Sequence, residues 1–281
     1  MKIAIGIAHA EFLPDRRASL ARLLRQAPAA HVSVSKEREH ASVWAKRLWE
    51  WAAEQDADAT ILLNDDVTIH PQLVEAVAAM AAAIPGETIA LHTSVPVAQS
   101  LALIGERWLR CYWLTGPGYV LPRGGAQRLL DWSAAAPRSV VATVNEDAIG
   151  IHEAWSRQRP IWGAIPALVE HDVSVPSTLG YDNHVLRKSC VPWTAPHFAR
   201  APVTDPAYWK PLGEPVLVEN PWMTRDSMAR IERLVRAGHS LCFMCLARPG
   251  TVGSSASDAM ICLPCLSSCF AFVIQMAGRQ V

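Results

Sequence analysis

The run Ala59-Thr60-Ile61-Leu62-Leu63-Asn64-Asp65-Asp66-Val67 constrains this chain more than any other. An apolar stretch of strand length ends in two adjacent carboxylates, and Pro71 then opens a helical stretch from Gln72 to Ala83. Buried strands rarely end on two like charges without compensation, because unpaired carboxylates repel each other and lose their hydration. A divalent cation supplies such compensation. In an open α/β sheet the carboxyl end of a strand is also where ligands bind. The first expectation is therefore a metal site that holds a phosphorylated substrate.

The segments around this run alternate. Residues 2–8 read as a strand, and a polar turn with Pro14, Asp15, Arg16 and Arg17 follows. Leu20, Leu23 and Leu24 then mark a helix. Val32 and Val34 alternate in a second strand. Ser42 to Glu54 is an amphipathic helix with Trp44, Leu48 and Trp51 in phase and Lys46 and Arg47 beside them. Strands are expected at Thr88–Thr93, Trp108–Trp113 and Gly118–Leu121, and a helix after Gly124-Gly125 carrying Ala126, Leu129, Leu130 and Trp132. Ser139–Val144 is β-branched and meets Asn145-Glu146-Asp147, a helix runs to Arg157, and Ile161–Val169 is extended up to Glu170-His171. Strands alternating with helices predict an α/β layered fold with a mostly parallel sheet.

Beyond Ser174, eight prolines from Pro176 to Pro221 punctuate a loop-rich segment, and Met223–Ala237 has helical spacing. The expected organisation is a catalytic unit at 1–185, a loop-rich extension at 186–238 and a Cys-rich apolar tail at 239–281.

Lys+Arg and Asp+Glu each total 26 in 281 residues, so the formal charge is zero. That balance argues against a strongly electrostatic nucleic-acid or membrane binder. No apolar run approaches the roughly 20 residues of a membrane span. The amino-terminal strand is too short for a signal-peptide core, and a soluble cytoplasmic protein is expected.

Four features recur in one order: Asn64-Asp65-Asp66, Thr115-Gly116-Pro117-Gly118-Tyr119, Asn145-Glu146-Asp147 and His171. This order resembles the common core of GT-A-fold glycosyltransferases, a Rossmann-related layered fold with helices flanking its central sheet. The segment Tyr119-Val120-Leu121-Pro122-Arg123-Gly124-Gly125-Ala126 is similar to that of bacterial lipooligosaccharide glycosyltransferases. The resemblance spans about residues 2–185. It implies that Asp66 and Asp65 hold Mn²⁺ or Mg²⁺ on the diphosphate of a nucleotide-sugar donor, with His171 completing the metal shell. It also implies a glycine loop near the acceptor (Gly116, Gly118) and a catalytic carboxylate at Asp147 or Glu146. Asn64 stands where family members often carry the first Asp of an Asp-x-Asp pair, which points to Asp66 as the direct ligand.

The chemistry suits these residue types. A diphosphate leaving group calls for a hard cation, and Mg²⁺ or Mn²⁺ takes carboxylate oxygen with few protein ligands. An acceptor hydroxyl needs a carboxylate base within hydrogen-bond reach. Donor contacts are expected at Ala8, His9, Arg47, Asn64 and Asp65, with residues 1–100 as donor half and 105–185 as acceptor half. Trp113 and Trp193 are candidate acceptor platforms, whereas Trp44, Trp51 and Trp155 read as packing residues. Each residue also has a plainer role. The aspartates can cap a helix, Glu146 and Asp147 can face a helix dipole, and Gly116 and Gly118 can serve a turn with positive φ. His171 can be an ordinary half-buried histidine, and Arg16, Arg17 and Arg47 read more simply as surface residues.

Cys242-x-x-Cys245 and Cys262-x-x-Cys265 have zinc-ribbon spacing. The knuckles lack the usual Gly and Lys, and cysteines acting as small hydrophobes are favoured over zinc. The function expected is metal-dependent, hexosyltransferase-like transfer of a sugar to an acceptor hydroxyl on a glycan or another molecule, modified DNA included. The alternatives are a nucleotidyltransferase on a similar fold and a non-catalytic carbohydrate-binding protein that retains it.

Overall fold

A computed structural model describes residues 1–39, 41–94, 97–103, 105–111, 117–135, 150, 153–154, 156–175, 188–213, 217–218, 252–254 and 257–261. The chain opens with β1 (Ile3–Ala10), α1 (Arg16–Gln26), β2 (His31–Ser35), α2 (Ala41–Ala53) and β3 (Ala59–Asn64). It continues with β4 (Val67–Ile69), α3 (Leu73–Ala83), β5 (Ile89–Ala90), α4 (Val97–Leu103), β6 (Trp108–Cys111), β7 (Gly118–Pro122) and α5 (Gly125–Ala135). Then come β8 (Ile161–Ala164), β9 (Val169–His171), β10 (Leu217–Val218), β11 (Val252–Ser254) and β12 (Ser257–Ile261).

Among the described residues, eight strands form the central sheet in the order β10-β6-β8-β5-β7-β3-β1-β2. Four of its seven pairings are parallel, and β7, β6 and β10 run against the other five strands. The fold is thus α/β with a mixed, mostly parallel sheet between helices, as the sequence predicts. The chain moves from β1 outward to β2, then back across β1 to β3. This reversal makes the carboxyl ends of β1 and β3 a topological switch point, the place where open α/β sheets form a ligand crevice.

Strand alternation explains the two layers. Ile3, Ile5 and Ile7 of β1 pack with Leu23 of α1 and with Leu73, Val77 and Met80 of α3. Ala8 and Ala10 pack on the opposite face against Trp44, Leu48 and Trp49 of α2. That face must be lined by small residues: a Cβ added at Gly6 would stand 2.7 Å from Trp51 and 2.8 Å from Leu48. Trp49 is fully buried and its indole N–H donates to the Tyr119 hydroxyl at 2.7 Å, as a buried tryptophan requires.

Several expectations need correction. A short strand, β4, lies between the acidic pair and α3, where the sequence reading assigned no element. Thr88–Thr93 narrows to the two residues of β5, Ile161–Val169 divides into β8 and β9, and α4 was not foreseen. In β2 it is Ser33 and Ser35 that are buried, while Val34 is exposed. Ser35 turns inward, where its single hydroxyl proton is shared between the Glu37 carbonyl and the Glu39 carboxylate, each 3.0 Å from Oγ.

The proline-rich stretch is irregular yet packs on the core. A 3-10 turn at Pro206–Trp209 buries Trp209 completely, and its indole donates to the Val203 carbonyl at 2.7 Å. Trp108 in turn donates to the Trp209 carbonyl. Of the tail, the hairpin β11–β12 is described. Met223–Ala237 and all five tail cysteines lie outside the described residues.

Candidate functional site

Four segments converge at the carboxyl ends of β1 and β3. Because Ala8 pairs with Asn64 in parallel register, His9 and Ala10 run beside Asp65 and Asp66. Asp65 is wholly buried. Its Oδ2 accepts from His9 Nδ1 at 2.7 Å and from the Ala10 backbone N–H at 2.9 Å, and its Oδ1 accepts from Arg16 Nη1. The other guanidinium nitrogen, Nη2, stands 3.1 Å from Asp66 Oδ2. Arg16 is 1% exposed, so the expectation of a surface arginine is corrected: it is the buried counterion of the acidic pair. The compensation that like charges at a strand end demand thus comes in part from the protein itself.

A two-stranded ribbon completes the arrangement. Here β4 pairs antiparallel with β9, setting Val67 opposite His171. The Asp172 backbone N–H donates to the Asp66 carbonyl at 2.7 Å, and the Asp172 carboxylate accepts from Arg22 on α1. His171 is thereby brought to Asp66, with Nδ1 standing 3.4 Å from Oδ2 and, among the described residues, making no hydrogen bond. Next to it Glu170 is largely buried, which pushes its carboxyl up to about 8 against the pull of the Ser189 N–H at 3.3 Å. The ring of His92, buried, meets that of His171 edge to face at 5.6 Å. Burial, with Glu170 adding to it, pushes the Cys190 thiol up to about 12.

The donor set has a definite character. Among the described residues, no three His, Cys, Asp or Glu converge on a point that could hold a metal. Asp66 and His171 nevertheless suit a hard cation that keeps most of its shell for phosphate and water. Two ligands about 2.1 Å from one octahedral ion lie roughly 3 Å apart, close to the spacing between these donors. Leaving the histidines aside, Asp65, Asp66 and Arg16 together carry one net negative charge, which favours a cation.

Other predicted positions fall as follows. Ala8 and Asn64 line a small, mostly apolar pocket with Trp44, Leu48, Leu62 and Tyr119 on the α2 side of the same sheet edge. Arg47 forms a two-point ion pair with Glu39 at 2.9 and 3.1 Å, and this guanidinium holds the Glu39 carboxyl below its usual range. Gly118 is a correction to the turn reading. It is a buried strand residue without positive φ, and an added Cβ would stand 3.0 Å from both Leu63 and Val169. Trp193 packs against the edge of the core with its ring 5.1 Å from His70. Trp113, Gly116, Asn145, Glu146, Asp147 and Trp155 lie outside the described residues.

Sequence reasoning passed over Arg22 and Asp172 and undervalued Arg16. A signal for Arg16 existed. The stripe of Leu20 and Leu23, continued one and two turns back, lands on residue 16, and Arg16, Ser19 and Leu23 are the buried face of α1. A cation on an apolar stripe announces a buried partner.

No protein-family model matches the chain, and no curated protein matches it. Solved structures similar to it include A197 from STIV, at 11% identity and a TM-score of 0.34, covering 60% of this chain and 84% of that one. A mannose-1-phosphate geranyltransferase from Thermus thermophilus is similar at 14% identity and a TM-score of 0.33, covering 58% and 74%. A glycosyltransferase involved in glycosylation of the major capsid of PBCV-1 is similar at 13% identity and a TM-score of 0.31, covering 67% and 92%. These likenesses are distant, and the function proposed below rests on the residues of this chain. Among the described residues, no helix is long and apolar enough to cross a membrane.

Proposed function

We propose that this protein is a metal-dependent glycosyltransferase, moving a sugar from a nucleoside-diphosphate donor to an acceptor hydroxyl. The observation that carries the proposal is the approach of Asp66 and His171 to 3.4 Å at the switch point of the sheet, although 105 positions separate them in the sequence. An oxygen and a nitrogen donor facing each other beside a buried guanidinium form a site for a cation together with phosphate.

In this proposal Asp66 and His171 hold Mn²⁺ or Mg²⁺, while Asp65 orients Arg16 and His9 behind them. The cation, when bound, stabilises charge on the departing nucleoside diphosphate. Both Asp65 oxygens are engaged by His9, Ala10 and Arg16, which favours Asp66 as the direct carboxylate ligand. Asn64, half-buried at the end of β3, presents its amide to the donor. Asp147, or Glu146 beside it, accepts the proton of the acceptor hydroxyl. The acceptor itself is a glycan or another hydroxyl-bearing molecule, modified DNA included.

Thermal-shift measurements with a panel of nucleotide sugars, with and without Mn²⁺, test this directly, because a ligand stabilises the folded state according to its occupancy. A metal-dependent rise in melting temperature, with slow release of nucleoside diphosphate, is the expected result. Release of pyrophosphate would instead make the protein a nucleotidyltransferase. Sugar binding without metal-dependent turnover would make it a carbohydrate-binding protein.

A further inference from the structure

Arg16 contacts both members of the acidic pair, with Nη1 on Asp65 and Nη2 3.1 Å from Asp66 Oδ2. Oδ2 is also the atom that faces His171. A cation arriving between Asp66 and His171 therefore meets a carboxylate oxygen already in contact with a guanidinium. Both Arg16 and Asp65 are buried, so solvent screens this competition little. Asp65 moderates it by taking one of the two guanidinium nitrogens.

Resting on the function proposed above, we propose that Arg16 is a positioning residue that makes cation binding conditional on a diphosphate. With Arg16 in place, the cluster offers a bare divalent ion a single net negative charge and two protein donors, which is a weak site. A diphosphate adds anionic oxygens that ligate the ion and face the guanidinium at once, and planar Arg is suited to phosphate. Metal and diphosphate then bind together, each raising the affinity for the other by the same factor. Free metal ions would leave the resting protein largely unloaded.

The test is Mn²⁺ binding by titration calorimetry and by the spin-resonance signal of free Mn²⁺, with and without a nucleoside diphosphate. The native protein should bind Mn²⁺ at least tenfold more tightly with the diphosphate present. Two substitutions should then move binding of bare Mn²⁺ in opposite directions. Asp65→Asn shifts the whole guanidinium pull onto Asp66 and should weaken binding at least threefold. Arg16→Gln combined with Asp65→Asn removes the competitor, leaves Asp66 charged, and should strengthen binding at least tenfold over the native protein while shrinking the diphosphate effect.

A merely structural Arg16 would not produce that reversal of sign. Equal affinity with and without diphosphate in the native protein overturns the inference, as does a shift of both variants in one direction. If circular dichroism shows the double variant unfolded, Asp65→Asn alone decides, and unchanged or tighter binding overturns the inference. If the native protein binds no Mn²⁺ even with diphosphates and nucleotide sugars, the proposed function fails instead.

Discussion

The two faces of the sheet are built from the same strands yet meet opposite demands at their carboxyl ends. On the α1 face, Arg16 pairs with both Asp65 and Asp66, His9 hydrogen-bonds Asp65, and the Arg22–Asp172 ion pair joins them through the Asp172 N–H to the Asp66 carbonyl. On the α2 face, Ala8, Ala10, Trp44, Leu48, Trp49 and Leu62 form a close-packed apolar layer. Successive residues of a strand point to opposite sides, so Ala8 and His9 enter different environments within one step. The ionic face tolerates few substitutions because each charge holds another. The apolar face tolerates few because its volume is already filled.

This comparison can be broken from either side. The largest effect is expected at the ionic face: Asp66→Ala should cut metal-dependent turnover of a nucleotide sugar by about 100-fold or more, the scale of the several kcal/mol that a Lewis-acid cation supplies. A steady-state assay that finds turnover unchanged would remove Asp66 from the site. On the apolar face, Trp49→Ala should cost about 3–5 kcal/mol of stability, the usual range for a fully buried aromatic, measured by urea denaturation. Diphosphate-dependent Mn²⁺ binding should survive wherever that variant remains folded.

A gentler intrusion sharpens the contrast. Gly6→Ala inserts one methyl against Trp51 and Leu48, and a loss of about 1–3 kcal/mol is expected from overpacking. A neutral result would show that α2 can move away from β1. The smallest effect concerns reactivity outside both faces. With its thiol pushed up to about 12, Cys190 should stay protonated at pH 8 and react with iodoacetamide far more slowly than in the denatured chain. Peptide mass spectrometry reads this directly, and rapid labelling of the native protein would refute it. The sign of the linkage agrees. The folded state holds the proton more firmly than the unfolded chain, with its ordinary thiol near 9, so this stabilisation fades as pH rises from 9 through 12.

Much of the fold of residues 1–100 was legible in the sequence. β1 and β3 are apolar runs, α1 and α2 carry leucines and tryptophans in helical phase, and the acidic pair stands out against Leu62 and Leu63. β4 was hidden because three residues directly after two charges give no periodic signal. The orientation of β2 was misread because valines suggest an inward face, whereas Ser35 is drawn in by Glu39 and Val34 lies outward on an edge strand. Trp49 was passed over because Trp44, Leu48 and Trp51 already made a stripe, and the buried one includes 45, 49 and 52 as well. The partnership of Arg16 with Asp65 joins residues 49 positions apart, and no local pattern states a long-range pairing. His171 was singled out only through its place in an ordered set of motifs, and the ribbon of β4 and β9 brings it beside Asp66.

The central claim is a division of labour between neighbouring carboxylates, with Asp65 holding the frame and Asp66 facing the ligand. Its most direct test compares Asp65→Asn with Asp66→Asn by thermal melting, each with and without Mn²⁺ plus a nucleoside diphosphate. Asp65→Asn should lower the melting temperature of the unliganded protein by roughly 6–12 °C, as expected for a broken buried ion pair of about 3 kcal/mol, and should keep a ligand-induced rise. Asp66→Asn, which leaves Arg16 its bond to Asp65, should lower the melting temperature less than Asp65→Asn does and lose that rise. Two variants that behave alike, or that exchange these behaviours, would contradict the account.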